Sequence, residues 1–254
     1  MSVKGRLFLE TEVCKLAYCK SDGKYPWIVF LGGFAGSMEG VKSQYIRKWA
    51  EDRGLGSVFF DYIGHGDSSG GLVDGSVGKW KQNCLDAIDN VVPTDASMIL
   101  VGSSLGGWLM SPVAEKYGDR VVGMLGLASA PDFVVRFFWE KLMNDEQRNT
   151  LKTTGSIDVP WWPVRVTYEV IEEARNHLVL GRKIDTKAKV ILLHGSKDDE
   201  IPVQYLSYYS KSFDEASCRT YVVEGANHRM ARDEDLQLIG ESLAELVDYA
   251  STLS

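Results

Sequence analysis

Residues 98–107 read Met98-Ile99-Leu100-Val101-Gly102-Ser103-Ser104-Leu105-Gly106-Gly107. An apolar run enters a G-x-S-x-G pattern, and the residues after it, Leu105 to Tyr117, carry a helical one. The reading is strand, sharp turn, helix, with Ser104 at the corner. A side chain at such a corner sits on strained backbone, so the positions two before and two after it must lack bulk. Gly102 and Gly106 meet that need, and Gly107 lets the helix approach the sheet. The Ser104 hydroxyl then stands at the carboxyl edge of the sheet, beside the positive end of a helix. Pro112 falls inside that helix, where it removes an intrahelical hydrogen bond and is expected to kink it.

The same alternation extends in both directions. Leu7 to Glu10 and Val13 to Cys19 suggest an opening antiparallel pair of strands. Strands at Trp27–Leu31, Ser57–Asp61, Met98–Gly102, Val122–Ala128, Val190–His194 and Cys218–Val223 then alternate with helical segments. Continuous Val/Ile/Leu runs between helices mean a mostly parallel sheet covered on both faces, an α/β fold. The pattern breaks at about 131–186, which carries Phe133, Phe137, Phe138, Trp139, Trp161 and Trp162. The expected organisation is a core of residues 1–130 and 187–254 with a helical lid inserted at 131–186. Phe133, Phe137, Trp139, Trp161 and Trp162 are the candidates to line an apolar acyl pocket under it. Each could instead simply pack on the core.

With 254 residues the chain can bury one large core. A net charge of −7 argues against nucleic acid or an anionic membrane as the main partner. No apolar run is long enough to span a bilayer, and the first residues lack a secretory signal. Cys14, Cys19, Cys84 and Cys218 have no C-x-x-C spacing and read as reduced residues of a cytoplasmic protein. Oligomeric state is not readable.

A lone G-x-S-x-G is a weak signal. It strengthens when an acid and a histidine follow, in that order. Asp198 lies just past the strand Val190–His194, on the crevice that Ser104 faces. It would accept the Nδ1–H of a histidine and fix its tautomer. Asp199 and Glu200 beside it, and Asp132 after the preceding strand, compete for that role. His228 lies in a loop before the last helix, where a general base can reach Ser104 and still pass its proton to a leaving group. Of the other histidines, His177 falls in the insertion, His194 ends a strand, and His65 sits in a glycine-bounded turn that it would stabilise. Two backbone amides should hold a developing oxyanion: Leu105, and Phe34 in the turn Gly32-Gly33-Phe34-Ala35-Gly36-Ser37. Neither a P-loop nor a dinucleotide fingerprint is present, and no histidine–carboxylate cluster has zinc-like spacing. Neither a cofactor nor a metal is expected.

These residues together resemble the α/β-hydrolase fold superfamily, and the likeness covers nearly the whole chain. It includes Phe60-Asp61-Tyr62-x-Gly64-x-Gly66-x-Ser68. A closer resemblance rests on the run Val101 to Met110, on Leu193 to Pro202, on His228-Arg229-Met230 and on Gly78-Lys79-Trp80. These look like the mitochondrial acyl-protein thioesterase and acyl-glucuronide esterase subgroup, the α/β-hydrolase-domain protein 10 type. The resemblance implies a serine hydrolase with Ser104 as nucleophile, Asp198 as acid and His228 as base. Its substrate would be a small-molecule or lipid-acyl ester or thioester, or an acylated protein. The chain departs in carrying Gly32 where many superfamily members have histidine. It also begins without the animal proteins' targeting presequence, as a bacterial relative would. Two other readings stay open. A proline-iminopeptidase-like aminopeptidase would use the same fold, with Glu169, Glu172 or Glu173 holding a free amino terminus. A non-catalytic binding protein would use only the scaffold.

Overall fold

A computed structural model describes residues 5–159 and 164–253. The chain opens with β1 (Leu7–Glu10) and β2 (Lys15–Ser21), paired antiparallel, then β3 (Lys24–Leu31). α1 (Val41–Asp52), β4 (Leu55–Phe60), α2 (Val77–Val91) and β5 (Met98–Ser103) follow. After them come α3 (Leu105–Tyr117) and β6 (Val121–Leu127). The eight-stranded sheet has the order β1-β2-β4-β3-β5-β6 and is completed by β9 (Lys189–Gly195) and β10 (Cys218–Val223). β2 alone runs against the others, so the sheet is mostly parallel, as the continuous apolar runs require.

Side chains of period two divide the core. Trp27, Val29 and Leu31 of β3 join the cluster on one face, while Ile28 and Phe30 join the other. α2 and α3 cover the first face, together with α6 (Gln204–Ser210). α1 and the closing helix α7 (Asp233–Ser251) cover the second. β3 connects onward to β4 on one side, and its neighbour β5 connects onward to β6 on the other, so the connections leave the carboxyl ends of these adjacent strands in opposite directions. That is a topological switch point, where open α/β sheets place their ligands.

Between β6 and β9 the strand alternation stops, as the sequence pattern does. A π-helix (Phe133–Leu142) leads into α4 (Asp145–Thr154). The two-stranded ribbon β7 (Ser156–Ile157) and β8 (Val166–Thr167) precedes α5 (Tyr168–Ala174). The ribbon is an addition to the expected all-helical segment, since two-residue strands leave no periodic trace. α4 starts at a reciprocal cap: Asn144 Oδ1 accepts the Gln147 amide, and Gln147 Oε1 accepts that of Asn144. Asp132 closes the segment on itself. Its fully buried carboxylate accepts the amides of Val179 (2.8 Å) and Leu180 (3.0 Å), 47 residues and more ahead. Trp108 of α3 fastens the segment to the core through Nε1–H to the His177 carbonyl, 2.9 Å. α3 itself continues through Pro112 as one helix.

Candidate active site

Ser104 has φ 51° and ψ −112°, a region an L residue enters only when its surroundings enforce it. Three hydrogen bonds do so. Its amide donates to the Leu127 carbonyl (2.9 Å), and its own carbonyl accepts from Ala130 (3.1 Å) and Trp108 (3.3 Å). Glycine at 106 is sterically required: a Cβ there would lie 1.9 Å from the Leu31 carbonyl oxygen. The turn from β5 into α3 is thereby pressed against the ends of β3 and β6.

Ser104 Oγ lies 2.9 Å from His228 Nε2, and His228 Nδ1 lies 2.8 Å from Asp198 Oδ2. The loops that carry acid and base are stitched together. Lys197 N–H donates to the Ala226 carbonyl, Ser196 N–H to that of Val223, and Gly225 N–H to Ser196 Oγ. Asp198 Oδ1 accepts the amides of Glu200 (3.0 Å) and Ile201 (2.8 Å). His194, buried at the end of β9, has Nε2 2.9 Å from the Ile201 carbonyl and 3.1 Å from Asp198 Oδ2. One N–H is shared between those two acceptors. Burial pushes the Asp198 carboxyl up. The bonds from His194 and His228, the charge on His228 and the Ile201 amide outweigh it and hold the group well below the usual carboxylate range.

None of the competing acids is the partner of His228 Nδ1, which is Asp198. Asp132 is committed to Val179 and Leu180, and burial pushes its carboxyl up. Asp199 and Glu200 line the cavity, with Glu200 Oε2 4.0 Å from His228 Nε2. His177 pairs with Glu173 at 2.6 Å, and Glu173 also accepts the Gly78 amide. Glu172 accepts from Arg175, and none of Glu169, Glu172 and Glu173 lines the cavity.

The loop after β3 runs alongside the serine, such that a Cβ on Gly33 would sit 3.4 Å from that of Ser104. Phe34 lies in this loop and lines the cavity. Leu105 opens α3, where first-turn amides have no intrahelical acceptor.

The cavity holds about 800 Å³. Phe133, Phe137, Phe138 and Leu142 of the π-helix give it an apolar wall, and Ile201 also lines it. The mouth is polar, with Ser37, Lys42, Glu200 and Arg229. Burial and the neighbouring charge of Arg229 pull the Lys42 ammonium down to about 8, against Asp198, Glu200 and Asp235. Its Nζ donates to the Arg229 carbonyl, next to the histidine.

Of the aromatic candidates in the insertion, Phe133 and Phe137 line the cavity and Trp139 does not. A π-helix closes i→i+5 bonds, seen here from the Met143 amide to the Phe138 carbonyl. Positions four to five apart then share a face, so 133, 137, 138 and 142 look into the cavity. Trp139 turns away onto Tyr168, with Lys152 and Arg175 over its ring. Trp161 and Trp162 lie outside the described residues. Sequence reasoning missed Phe138 and Leu142, whose signal was that wider spacing. It also missed Lys42, a few residues past the Gly32–Ser37 turn, and Ile201, inside the run Leu193 to Pro202.

No protein-family model matches the chain. The mitochondrial palmitoyl-protein thioesterase ABHD10 of Bos taurus is 33% identical over 252 residues, covering 95% of this chain and 79% of the bovine one. The solved structure of mouse α/β hydrolase domain-containing protein 10 superposes with a TM-score of 0.88 at 31% identity, covering 98% of this chain and all of that one. A structure titled putative hydrolase from Agrobacterium vitis gives 0.86 at 26% identity, covering 96% and 98%. Identity of this extent, on a shared fold, makes the chain a member of the ABHD10 palmitoyl-protein thioesterase family of α/β hydrolases.

Proposed function

We propose that the protein is a serine hydrolase that cleaves thioesters and esters of medium or long acyl chains through an acyl-enzyme on Ser104. The observation that carries this is the chain Ser104 Oγ–His228 Nε2–Asp198 Oδ2, at 2.9 and 2.8 Å, opening into a cavity with one aromatic wall. His228 takes the Ser104 proton as Oγ attacks the acyl carbonyl, and Asp198 stabilises the imidazolium. The amides of Phe34 and Leu105 receive the tetrahedral oxyanion. Collapse breaks the carbonyl–sulfur or carbonyl–oxygen bond, and His228 returns the proton to the leaving group. Water then repeats the sequence and releases the carboxylic acid. A thiol leaves more readily than an alcohol, its pKa being only about 8.5, so less is asked of His228 with thioesters. No step calls for a cofactor or metal.

Residues 131–186 serve in this proposal as a lid on the core formed by 1–130 and 187–254. Its wall takes the acyl chain, and the polar mouth takes the leaving group, a small molecule or an acylated protein. About 800 Å³ is within the roughly 300–1,000 Å³ of ligand sites. The bovine relative's name specifies palmitoyl groups on protein, and we extend that class to this chain. Among the described residues no helix is long and apolar enough to cross a membrane. The four cysteines are free thiols, which suits the cytoplasmic location expected from the sequence. The peptidase alternative loses support because Glu172 and Glu173 are engaged elsewhere.

A fluorophosphonate probe tests the reading. It labels wild type and not Ser104→Ala, and only wild type hydrolyses an acyl-thioester and p-nitrophenyl ester series peaking beyond octanoyl. Peak activity on acetate would reject the acyl-chain part. An unlabelled Ser104 would reject the nucleophile and revive a non-catalytic role.

A further inference from the structure

The turn after β4 holds the loop that runs beside Ser104 at three points. Asp61 Oδ1 accepts the Met38 amide (2.7 Å), Tyr62 donates its hydroxyl to the Gly32 carbonyl (3.2 Å), and His65 Nε2 accepts the Ala35 amide (3.0 Å). The third contact is the informative one. The Gly36 amide closes a four-residue turn on the Gly33 carbonyl (3.0 Å), and Ala35 within it has φ 54°. Glycine is the usual occupant of such a position. The Ala35 amide belongs to the Phe34–Ala35 peptide plane. The Phe34 N–H lies in the preceding Gly33–Phe34 plane, whose carbonyl the Gly36 amide holds. By anchoring the Phe34–Ala35 plane, His65 keeps the turn closed and the Phe34 N–H in its direction.

The protonation of His65 follows from its two partners. A backbone amide can only donate, so Nε2 must present its lone pair to Ala35. A carbonyl can only accept, so Nδ1 carries the proton toward Ile63 O, 3.0 Å away. Both ring nitrogens are used, and the imidazole must be neutral. Its ring is packed edgewise by Phe34 from the loop, Tyr62 from its own turn and Trp80 from α2. Of these only the Tyr62 phenol can titrate, and burial raises it well above its usual value. The nearby Asp61 carboxylate is bonded to the Met38 and Asp67 amides, and among the described residues no charged side chain is hydrogen-bonded to the imidazole. The turn is itself anchored, through Ile63 N–H to Asn83 of α2 and Ala17 N–H of β2 to Ser68.

We propose that His65 is a positioning residue for oxyanion binding: as the neutral Nδ1–H tautomer it holds the Phe34–Ala35 peptide so that the Phe34 amide points at the substrate carbonyl oxygen. This rests on the proposed acyl-enzyme mechanism at Ser104. Protonating His65 would set an N–H against the Ala35 N–H and release the loop. Burial lowers its pKa from the usual imidazole value, opposed by the bond to Ile63, so the neutral form persists as the solution turns mildly acidic.

The test compares His65→Leu and His65→Gln with wild type for kcat, KM and inhibition by an alkyl trifluoromethyl ketone, whose hemiketal mimics the oxyanion. His65→Leu should lose on the order of 100-fold in kcat, as for an oxyanion donor, with KM within about threefold. Ketone affinity should fall in parallel with kcat. His65→Gln, whose Oε1 can accept the Ala35 amide, should recover at least about tenfold. A folded His65→Leu with kcat near wild type, or a glutamine variant no better than leucine, overturns the proposal. Nitrogen-15 NMR of the wild-type imidazole decides even if a variant fails to fold: Nε2 must be unprotonated, and an Nε2–H tautomer refutes the assignment. Ser104→Ala in the same assay separates the two readings. If it stays active, the mechanism fails. If it is inactive while a folded His65→Leu is unimpaired, only the role of His65 fails.

Discussion

The corner that carries Ser104 and the wall that faces it are built by different forces. At the corner each polar group is held by directional hydrogen bonds: Leu127 and Ala130 fix the Ser104 backbone, and His194, Glu200 and Ile201 fix Asp198. The wall presents Phe133, Phe137, Phe138 and Leu142, whose contribution is shape. Reaction type is set where geometry tolerates little, and substrate choice where volume decides.

The largest expected effect breaks the corner and spares the wall. Ser104→Ala and Asp198→Asn should each lower kcat on the order of 10⁴-fold or more. Neither should shift the acyl-length preference of whatever activity survives. Single-turnover assays on C8 and C16 thioesters would measure both. If Asp198→Asn stayed within tenfold of wild type, Asp198 would not be the acid.

The two regions also differ in how legible they were. The corner could be read because sterics write themselves into sequence: positive φ at Ser104 demands small neighbours, and Gly106 stands where any Cβ would collide with Leu31. The bounds of α3 and β10 agree with the structure for the same kind of local reason. β3 begins at Lys24 rather than Trp27, since Lys24-Tyr25-Pro26 has no apolar pattern and is recruited by pairing with Leu55. The wall could not be read at α-helical spacing. A 3.6-residue period makes Trp139 as good a candidate as its neighbours, and only the wider π turn separates it from Phe138 and Leu142. Asp132 looked like an acid because it follows a strand. What decides its role is a partner 47 residues away, which no local pattern contains.

Altering the wall should move selectivity and leave the corner intact. Leu142→Trp would fill the part of the cavity proposed to take the acyl chain. Excluding four methylenes at about 0.8 kcal/mol each costs on the order of 100-fold in kcat/KM for palmitoyl over octanoyl substrates. Trp139→Ala is the control. It should leave the length profile unchanged while lowering stability by about 3 kcal/mol, as for a large buried aromatic. A changed profile in that variant would place Trp139 in the cavity after all.

Asp132→Asn asks whether the wall is fastened as the structure implies. One amide oxygen can serve Val179 or Leu180, and the NH₂ then faces the other donor. The expected loss is about 1–3 kcal/mol for a buried donor left unmatched, read as a lower urea midpoint. Fluorophosphonate labelling should persist, because the carboxylate takes no part in the Ser104–His228 chain. Loss of labelling in a folded variant would restore Asp132 as a competitor of Asp198.

Lys42 belongs to both regions, since it lines the cavity and donates to the carbonyl beside His228. Its ammonium is pulled to about 8 by burial and Arg229, whereas an unfolded lysine titrates near 10.4. Between those values the folded chain holds fewer protons than the unfolded one, so this group makes stability rise with pH. Below about pH 8 both states are charged and the slope vanishes. Urea unfolding of wild type and Lys42→Met at pH 7, 8, 9 and 10 should show their difference moving toward wild type only above pH 8. Activity should move the other way, and by little. A neutral amine donates to the Arg229 carbonyl more weakly than an ammonium, so wild type should lose a few-fold in kcat across the same interval and Lys42→Met should not. A stability difference that stayed flat with pH would mean that Lys42 is solvated like a surface lysine. The mouth of the cavity would then act on the leaving group alone, with no hold on the histidine loop.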